Sequence, residues 1–236
     1  MPRMHVRRKN TALASDAARR RTMRMILRRL ERAYDPQHWW PARTKTEVVV
    51  GAILTQNTAW AGVERAVANL RQAGLLSWSA LRDVAEAELA ERIRPAGTFR
   101  VKAKRLKAFV EVLWEDHGGS LRSLLSGELN AARERLLAIH GIGRETADAI
   151  LLYAGGRPSF VVDAYTKRIL SRHFVTDKAA GYDSVRDLFQ SALPPDADVY
   201  NEYHALLVTL AKRHCRSSAK CEGCPLADLP HDRMLG

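Results

Sequence analysis

The sequence predicts an all-α protein. Apolar residues recur at i, i+3 and i+4 in one segment after another, Gly and Pro punctuate the gaps, and residues 77–127 hold no alternating run of the kind a strand requires. Residues 16–34 form the first helix, with Ser15 or Asp16 as N-cap, an apolar run through Met23, Met25, Ile26, Leu27 and Leu30 to Tyr34, and Asp35-Pro36 as the stop. His38-Trp39-Trp40-Pro41 follows, a segment that proline keeps from being helical. Residues 44–71 place Val49, Ile53, Val63, Val67 and Leu70 on one face, and Thr55-Gln56-Asn57-Thr58 divides them into two helices with Gln56 and Asn57 at the tip of the turn.

Shorter helices are expected at 79–93, stopped by Pro95-Ala96-Gly97, at 102–114, ended by Gly118-Gly119, and near 121–125. Residues 129–154 read as two helices around Gly141-Ile142-Gly143, with Ala147, Ile150, Leu151 and Ala154 packing the second on the first. Gly155-Gly156-Arg157-Pro158 breaks the pattern. An extended run, Phe160-Val161-Val162, then leads to Asp163, which stands as N-cap before a helix at 165–173. Pro194-Pro195 separates two last helices, at 182–193 and 199–214.

Composition sets the class of partner. With 46% apolar and 27% charged residues the chain has a normal globular balance, and a net charge of +12 marks a binder of polyanions: DNA, RNA or an acidic membrane surface. Residues 1–32 set eleven Lys or Arg against Asp16 and Glu31, so this segment carries most of the excess. Residues 1–15 suit a flexible basic arm on DNA better than an Arg-rich presequence, because the arm needs no processing step. No apolar run approaches a membrane span and residues 1–20 lack the apolar core of a secretory signal, so an intracellular protein, cytoplasmic or nucleoid, is expected.

Several residues carry candidate chemistry. Glycines 141 and 143 let backbone N–H groups approach an anion at the positive end of a helix, although Gly-Ile-Gly alone equally describes an ordinary capped hairpin. The tryptophans at 39 and 40 either pack in the core or stack on an extruded base, and the turn at 55–58 either joins two helices or enters a duplex. Lys102, Lys104, Arg105 and Lys107 either touch phosphates or form a solvated face. Asp163 contributes about 1 kcal/mol as an N-cap, a role compatible with chemistry. All three cysteines, Cys215, Cys221 and Cys224, fall within ten residues as C-x5-C-x2-C, which in a reducing compartment argues for a metal or cluster site.

Taken together, the Ile139-His140-Gly141-Ile142-Gly143 hairpin, Val161-Val162-Asp163 about twenty residues on, and the C-terminal cysteines resemble the helix-hairpin-helix DNA glycosylases of the endonuclease III superfamily over roughly residues 20–226. The resemblance implies two helical lobes: one from residues 44–162, carrying the hairpin at 129–154, and one from 16–43 with 163–236, carrying a cluster loop at about 214–232. Double-stranded DNA with a damaged base would lie in the cleft between them, bound to a monomer. It implies that Asp163 stabilises positive charge developing on the sugar and orients or deprotonates the attacking water, that Gln56 fills the gap left by an extruded nucleotide, and that Gly141, Gly143, Arg144 and Asn57 contact DNA.

Two departures from the family matter. The position of the lysine that forms a Schiff base in bifunctional members is Glu145, and a carboxylate forms no imine, so a monofunctional glycosylase is expected, with any lyase activity weak and dependent on another amine such as Lys167. The fourth cysteine of the family's [4Fe–4S] set is replaced by Pro230. His231 is then the nearest substitute ligand, ahead of Asp228, Asp232 and His214, and zinc held by three cysteines and a histidine is the alternative. Either site would be structural, turning Arg213, Arg216 and Lys220 toward phosphate.

Trp39-Trp40-Pro41, Leu54-Thr55-Gln56-Asn57-Thr58, Arg94-Pro95-Ala96-Gly97 with Lys102-Ala103-Lys104-Arg105-Leu106, and Glu145 to Leu151 look most like the 3-methyladenine glycosylases on this scaffold. That likeness implies alkylated purines as substrate, with Trp39, Trp40, Trp60 and Tyr165 as base-pocket candidates. Oxidised pyrimidines, or DNA binding without catalysis, are the alternatives.

Overall fold

The structure, a computed structural model, describes residues 15–37, 39–40 and 42–234, and among these every regular element is helical. All of the basic arm of residues 1–15 but Ser15, together with His38 and Pro41, lies outside the described residues. The chain packs as two compact units, one formed by Met1–Trp39 with Val162–Gly236 and the other by Trp40–Val161.

In the first unit, α1 (Asp16–Ala33) begins at Ser15, whose hydroxyl accepts the Ala18 N–H, and buries Met23, Ile26, Leu27 and Leu30. Its partners in that unit come from the far end of the chain.

The second unit holds α2 (Lys45–Leu54), α3 (Trp60–Gln72), α4 (Trp78–Asp83), α5 (Glu86–Arg92), a short 3-10 turn at Arg94–Ala96, α6 (Phe99–Glu115), α7 (Leu121–Leu124), α8 (Leu129–Ala138) and α9 (Arg144–Ala149). Every residue of α2 from Glu47 to Leu54 is buried, so this helix is the core of its unit rather than an amphipathic cover. Around it lie Val63, Leu70, Leu106, Phe109, Leu136, Ile150 and Leu151, all essentially inaccessible.

The single helix expected at 79–93 is two. Val84 and Ala85 are extended, and the ammonium of Lys107 on α6 takes the carbonyls of Leu81 (2.9 Å), Arg82 (2.8 Å) and Val84 that would otherwise continue the helix. A remote side chain supplies the stop. Lys102 is likewise no surface residue: it is fully buried, with its ammonium on the carbonyls of Leu54 (2.8 Å) and Ala96 (2.7 Å) and on the Thr58 hydroxyl. Neither phosphate contact nor a solvated face describes these two lysines.

Beyond α9, Ile150–Ala154 widens into a π turn closed by Gly155 N–H on Ile150 O at 3.0 Å. α8, α9 and the segment after the turn are tied by a buried pair. Arg133 grips Asp148 through Nε (2.8 Å) and Nη2 (3.1 Å), and the Ser159 hydroxyl donates to the same carboxylate at 2.5 Å.

The first unit is completed by α10 (Ala164–Arg172), α11 (Tyr182–Ala192) and α12 (Ala197–Arg213). α1 packs on α11 and α12, and α10 packs on α12. Phe189 meets Tyr203 edge-on at 5.3 Å, and the buried Tyr203 hydroxyl donates to Met23 O at 2.7 Å, so the aromatic core has its polar atom satisfied.

Candidate active site and nucleic-acid interface

Of the two hairpin glycines, Gly141 is the one whose backbone demands glycine, with φ at +82°. A Cβ there would also sit 2.2 Å from Arg105 Cγ. Gly143 is extended (φ −91°, ψ 176°), and a Cβ built on it meets nothing within 4 Å. The ground in front of α9 is therefore open, and Gly143, Arg144 and Glu145 are all exposed there. Open backbone N–H groups at a helix start suit a phosphate.

Gln56 is not a free fingertip. Its amide nitrogen donates to Gly141 O (3.0 Å) and to Thr146 Oγ1 (2.9 Å), while Arg105 donates to its carbonyl oxygen. The turn after α2 is thus bound to the hairpin by side chains from three segments. Asn57, with φ at +50°, is the exposed tip.

Two of the four aromatic candidates come together. Trp40 and Trp60 meet edge-on with centroids 5.2 Å apart, and Tyr153, from the π turn, joins Trp40 at 5.0 Å. Gly51 forms the floor, since a Cβ there would lie 3.2 Å from Trp40 Cζ2. Sequence reasoning missed Tyr153; the signal was an amphipathic aromatic closing the apolar run Ile150-Leu151-Leu152. Trp39 belongs to the other unit, where Asn201 donates to its carbonyl at 2.6 Å and Lys212 Nζ stands 5.6 Å from its ring. Glu31, Asp198 and Glu202 edge the hollow beside it. Tyr165, 36% exposed on α10, carries the Arg168 guanidinium over its ring at 5.1 Å.

Asp163 caps α10. Its Oδ1 accepts the Thr166 N–H at 2.7 Å, its Oδ2 lies 3.7 Å from His204 Nε2, and its side chain is 15% exposed. Burial pushes its carboxyl up, but His204 and the N–H and hydroxyl of Thr166 pull it down further, and the group rests below the ordinary aspartate range. It is an anion at neutral pH. Lys167, the alternative amine, donates to Ala180 O at 3.1 Å.

Cys215, Cys221 and Cys224 line one cavity with His173, His214 and His231. Arg172 organises its wall, donating to Cys215 Sγ (3.2 Å), Arg216 O (2.6 Å) and Ser217 O (2.8 Å), and Arg168 Nε holds Cys215 O at 2.8 Å. Burial pushes the Cys224 thiol up, against a backbone hydrogen bond at Leu226 that pulls it down, with smaller upward contributions from Cys221 and Cys215. His231 Nδ1 lies 2.7 Å from Leu229 O, which makes Nδ1 the donor and leaves the Nε2 lone pair, the tautomer a metal ligand needs. Three thiols, an imidazole and a cationic wall fit a cluster or zinc in donor chemistry. Among the described residues, however, no three His, Cys, Asp or Glu side chains converge tightly enough to hold a metal ion.

Comparison with other proteins identifies the family. Residues 50–195 match the family model of the HhH-GPD superfamily base excision DNA repair proteins, and the chain belongs to that family, among the DNA glycosylases of the endonuclease III superfamily. A protein of Methanocaldococcus jannaschii, provisionally named a DNA repair glycosylase, is 48% identical over 83% of this chain and 89% of its own length. Among solved structures, the 3-methyladenine DNA glycosylase MagIII of H. pylori, bound to 1,N6-ethenoadenine, superposes with a TM-score of 0.68 at 27% identity, covering 84% of this chain and 98% of that one. An endonuclease III in a non-covalent complex with DNA has a TM-score of 0.77 at 21% identity over 89% of this chain and 94% of its own, a likeness of fold.

Proposed function

We propose that this chain is a monofunctional DNA glycosylase that extrudes a damaged base from duplex DNA and hydrolyses its N-glycosidic bond, acting on alkylated purines such as 3-methyladenine. The observation that carries the reading is Asp163, a mostly buried carboxylate kept ionised at a helix N-terminus. As the glycosidic bond lengthens, positive charge grows on the sugar, and a fixed anion in a low-dielectric setting stabilises that state more than the uncharged ground state. The same carboxylate can orient the attacking water. Glu145 at the hairpin offers no amine and Lys167 is engaged by a carbonyl, which supports hydrolysis without strand cleavage.

For the substrate, the Trp40, Trp60 and Tyr153 cluster offers π faces to a flat, positively charged purine, and the MagIII likeness points the same way. An N3-alkylated adenine already carries a weakened bond, so stacking and one carboxylate suffice as catalytic groups. The open start of α9, with Gly143 and Arg144, would hold backbone phosphate, and Gln56 with Asn57 would occupy the duplex at the vacated position.

A panel of duplexes, each with one lesion and followed by alkali, tests this. Release of alkylated purines with strand breaks appearing only after alkali is expected. Release of oxidised pyrimidines alone would transfer the chain to the endonuclease III-like specificity, and tight binding without release from any duplex would leave a non-catalytic DNA-binding protein.

Cys215, Cys221, Cys224 and His231 would hold a [4Fe–4S] cluster, with zinc as the alternative. Bound there, the group supplies a cross-link that fastens residues 214–232 rather than reaction chemistry. Arg172 and Arg168 already hold the loop's carbonyls. The purified chain is expected to be brown, and Cys221→Ser to bleach it and expose the loop to protease. A colourless protein containing one zinc would assign zinc instead, and a metal-free protein with three freely titrating thiols would remove both.

A further inference from the structure

The buried face of α12 is built by Tyr200, Tyr203, His204, Leu207 and Ala211 at helical spacing. Position 204 is 5% exposed, a place where leucine would pack without the cost of burying an imidazole. The histidine has a local counterpart: Nε2 lies 3.7 Å from Asp163 Oδ2, an ion-pair distance, while the other carboxylate oxygen is taken by the Thr166 N–H at 2.7 Å. One oxygen is thus held by the start of α10, while the other faces an α12 imidazole at ion-pair distance, beyond hydrogen-bond reach.

We propose that His204 is a positioning residue for base excision, which keeps the Asp163 carboxylate anionic and in one orientation from the side opposite its helix cap. This rests on the reading of Asp163 as the group that faces the sugar. A carboxylate with only its cap bond can rotate its second oxygen, and burial favours its protonated form. An imidazole N–H or imidazolium beside Oδ2 opposes both. Of the neighbouring titratable side chains on other elements, Lys167 of α10 donates to Ala180 O and the Tyr182 hydroxyl of α11 accepts the Val162 N–H at 3.4 Å. The signal in the sequence was a single histidine among the tyrosines and aliphatic residues of a buried helix face, in the stretch Tyr203 to Leu207.

His204→Leu removes the polar ring at similar volume, and His204→Gln returns a polar N–H at similar reach. With methylated duplex DNA, His204→Leu is expected to lower the single-turnover rate of base release roughly tenfold or more at neutral pH, and to move the acid limb of the rate profile to higher pH, since Asp163 then protonates more readily. His204→Gln is expected to recover most of the rate. A carbon-13 titration of the aspartate carboxyls reads the pair without any activity: the Asp163 signal should titrate at higher pH in His204→Leu and return toward wild type in His204→Gln. An unchanged acid limb and unchanged Asp163 titration in His204→Leu overturn the proposal, as does equal impairment of both variants with the profile only scaled down. Retained base release in Asp163→Asn would instead overturn the underlying reading of Asp163, and with it the catalytic meaning of the pair, whatever the titration shows.

Discussion

Asp163→Asn is expected to abolish base release, by at least about a hundredfold in single-turnover rate, while leaving binding to lesion-containing duplex in place. The substitution is chosen for what it keeps. Asparagine caps helices about as well as aspartate, so the Thr166 N–H retains its acceptor and α10 its start. What disappears is the negative charge. If the carboxylate acts on a cationic sugar, the loss appears in the chemical step and not in affinity, which gel-shift titration beside single-turnover kinetics would separate. Activity within a few fold of wild type would remove Asp163 from the mechanism.

Asp148→Ala is expected to cost about 3–5 kcal/mol, because it removes the carboxylate gripped by the Arg133 guanidinium in a pocket where neither side chain exceeds 8% exposure. For a chain of this size that is a fall in melting temperature on the order of 10 °C. The expected effect is structural: the pair joins α8, α9 and the segment carrying Ser159, the scaffold behind the hairpin. Replacing both partners by apolar residues, Arg133→Met with Asp148→Leu, should recover most of the loss, since the penalty lies in burying one charge without its counter-charge rather than in the missing attraction. A melting temperature within a degree or two of wild type for Asp148→Ala would show that the pair contributes no such stability.

How legible the molecule was depends on how local each cause is. Helices such as α1 and α12 follow from apolar spacing and from caps within a few residues, Ser15 and Asp196, so periodicity reaches them. Asp163 was readable for the same reason, as an acid before a helix after an extended apolar run. The split between α4 and α5 was not, because the stop comes from Lys107, more than twenty residues away. Lys102 and Lys107 looked like surface charge because their acceptors are backbone carbonyls, and a carbonyl leaves no mark in a sequence. Tyr153 and His204 went unnoticed for a related reason. Each became meaningful only when a partner from a distant segment, Trp40 for one and Asp163 for the other, was brought beside it.

The ammonium of Lys102 has a mechanical consequence. It holds carbonyls from the end of α2 and from the turn before α6, so the two stretches share one fastener. Burial, with Arg105 adding to it, lowers the pKa of that ammonium to about 8, yet it makes no ion pair among its bonds, and parting the stretches would leave it facing apolar neighbours. The turn that carries Asn57 and the stretch that leads into α6 are thereby fastened to each other through one buried ammonium, so a substitution at Lys102 loosens both at once.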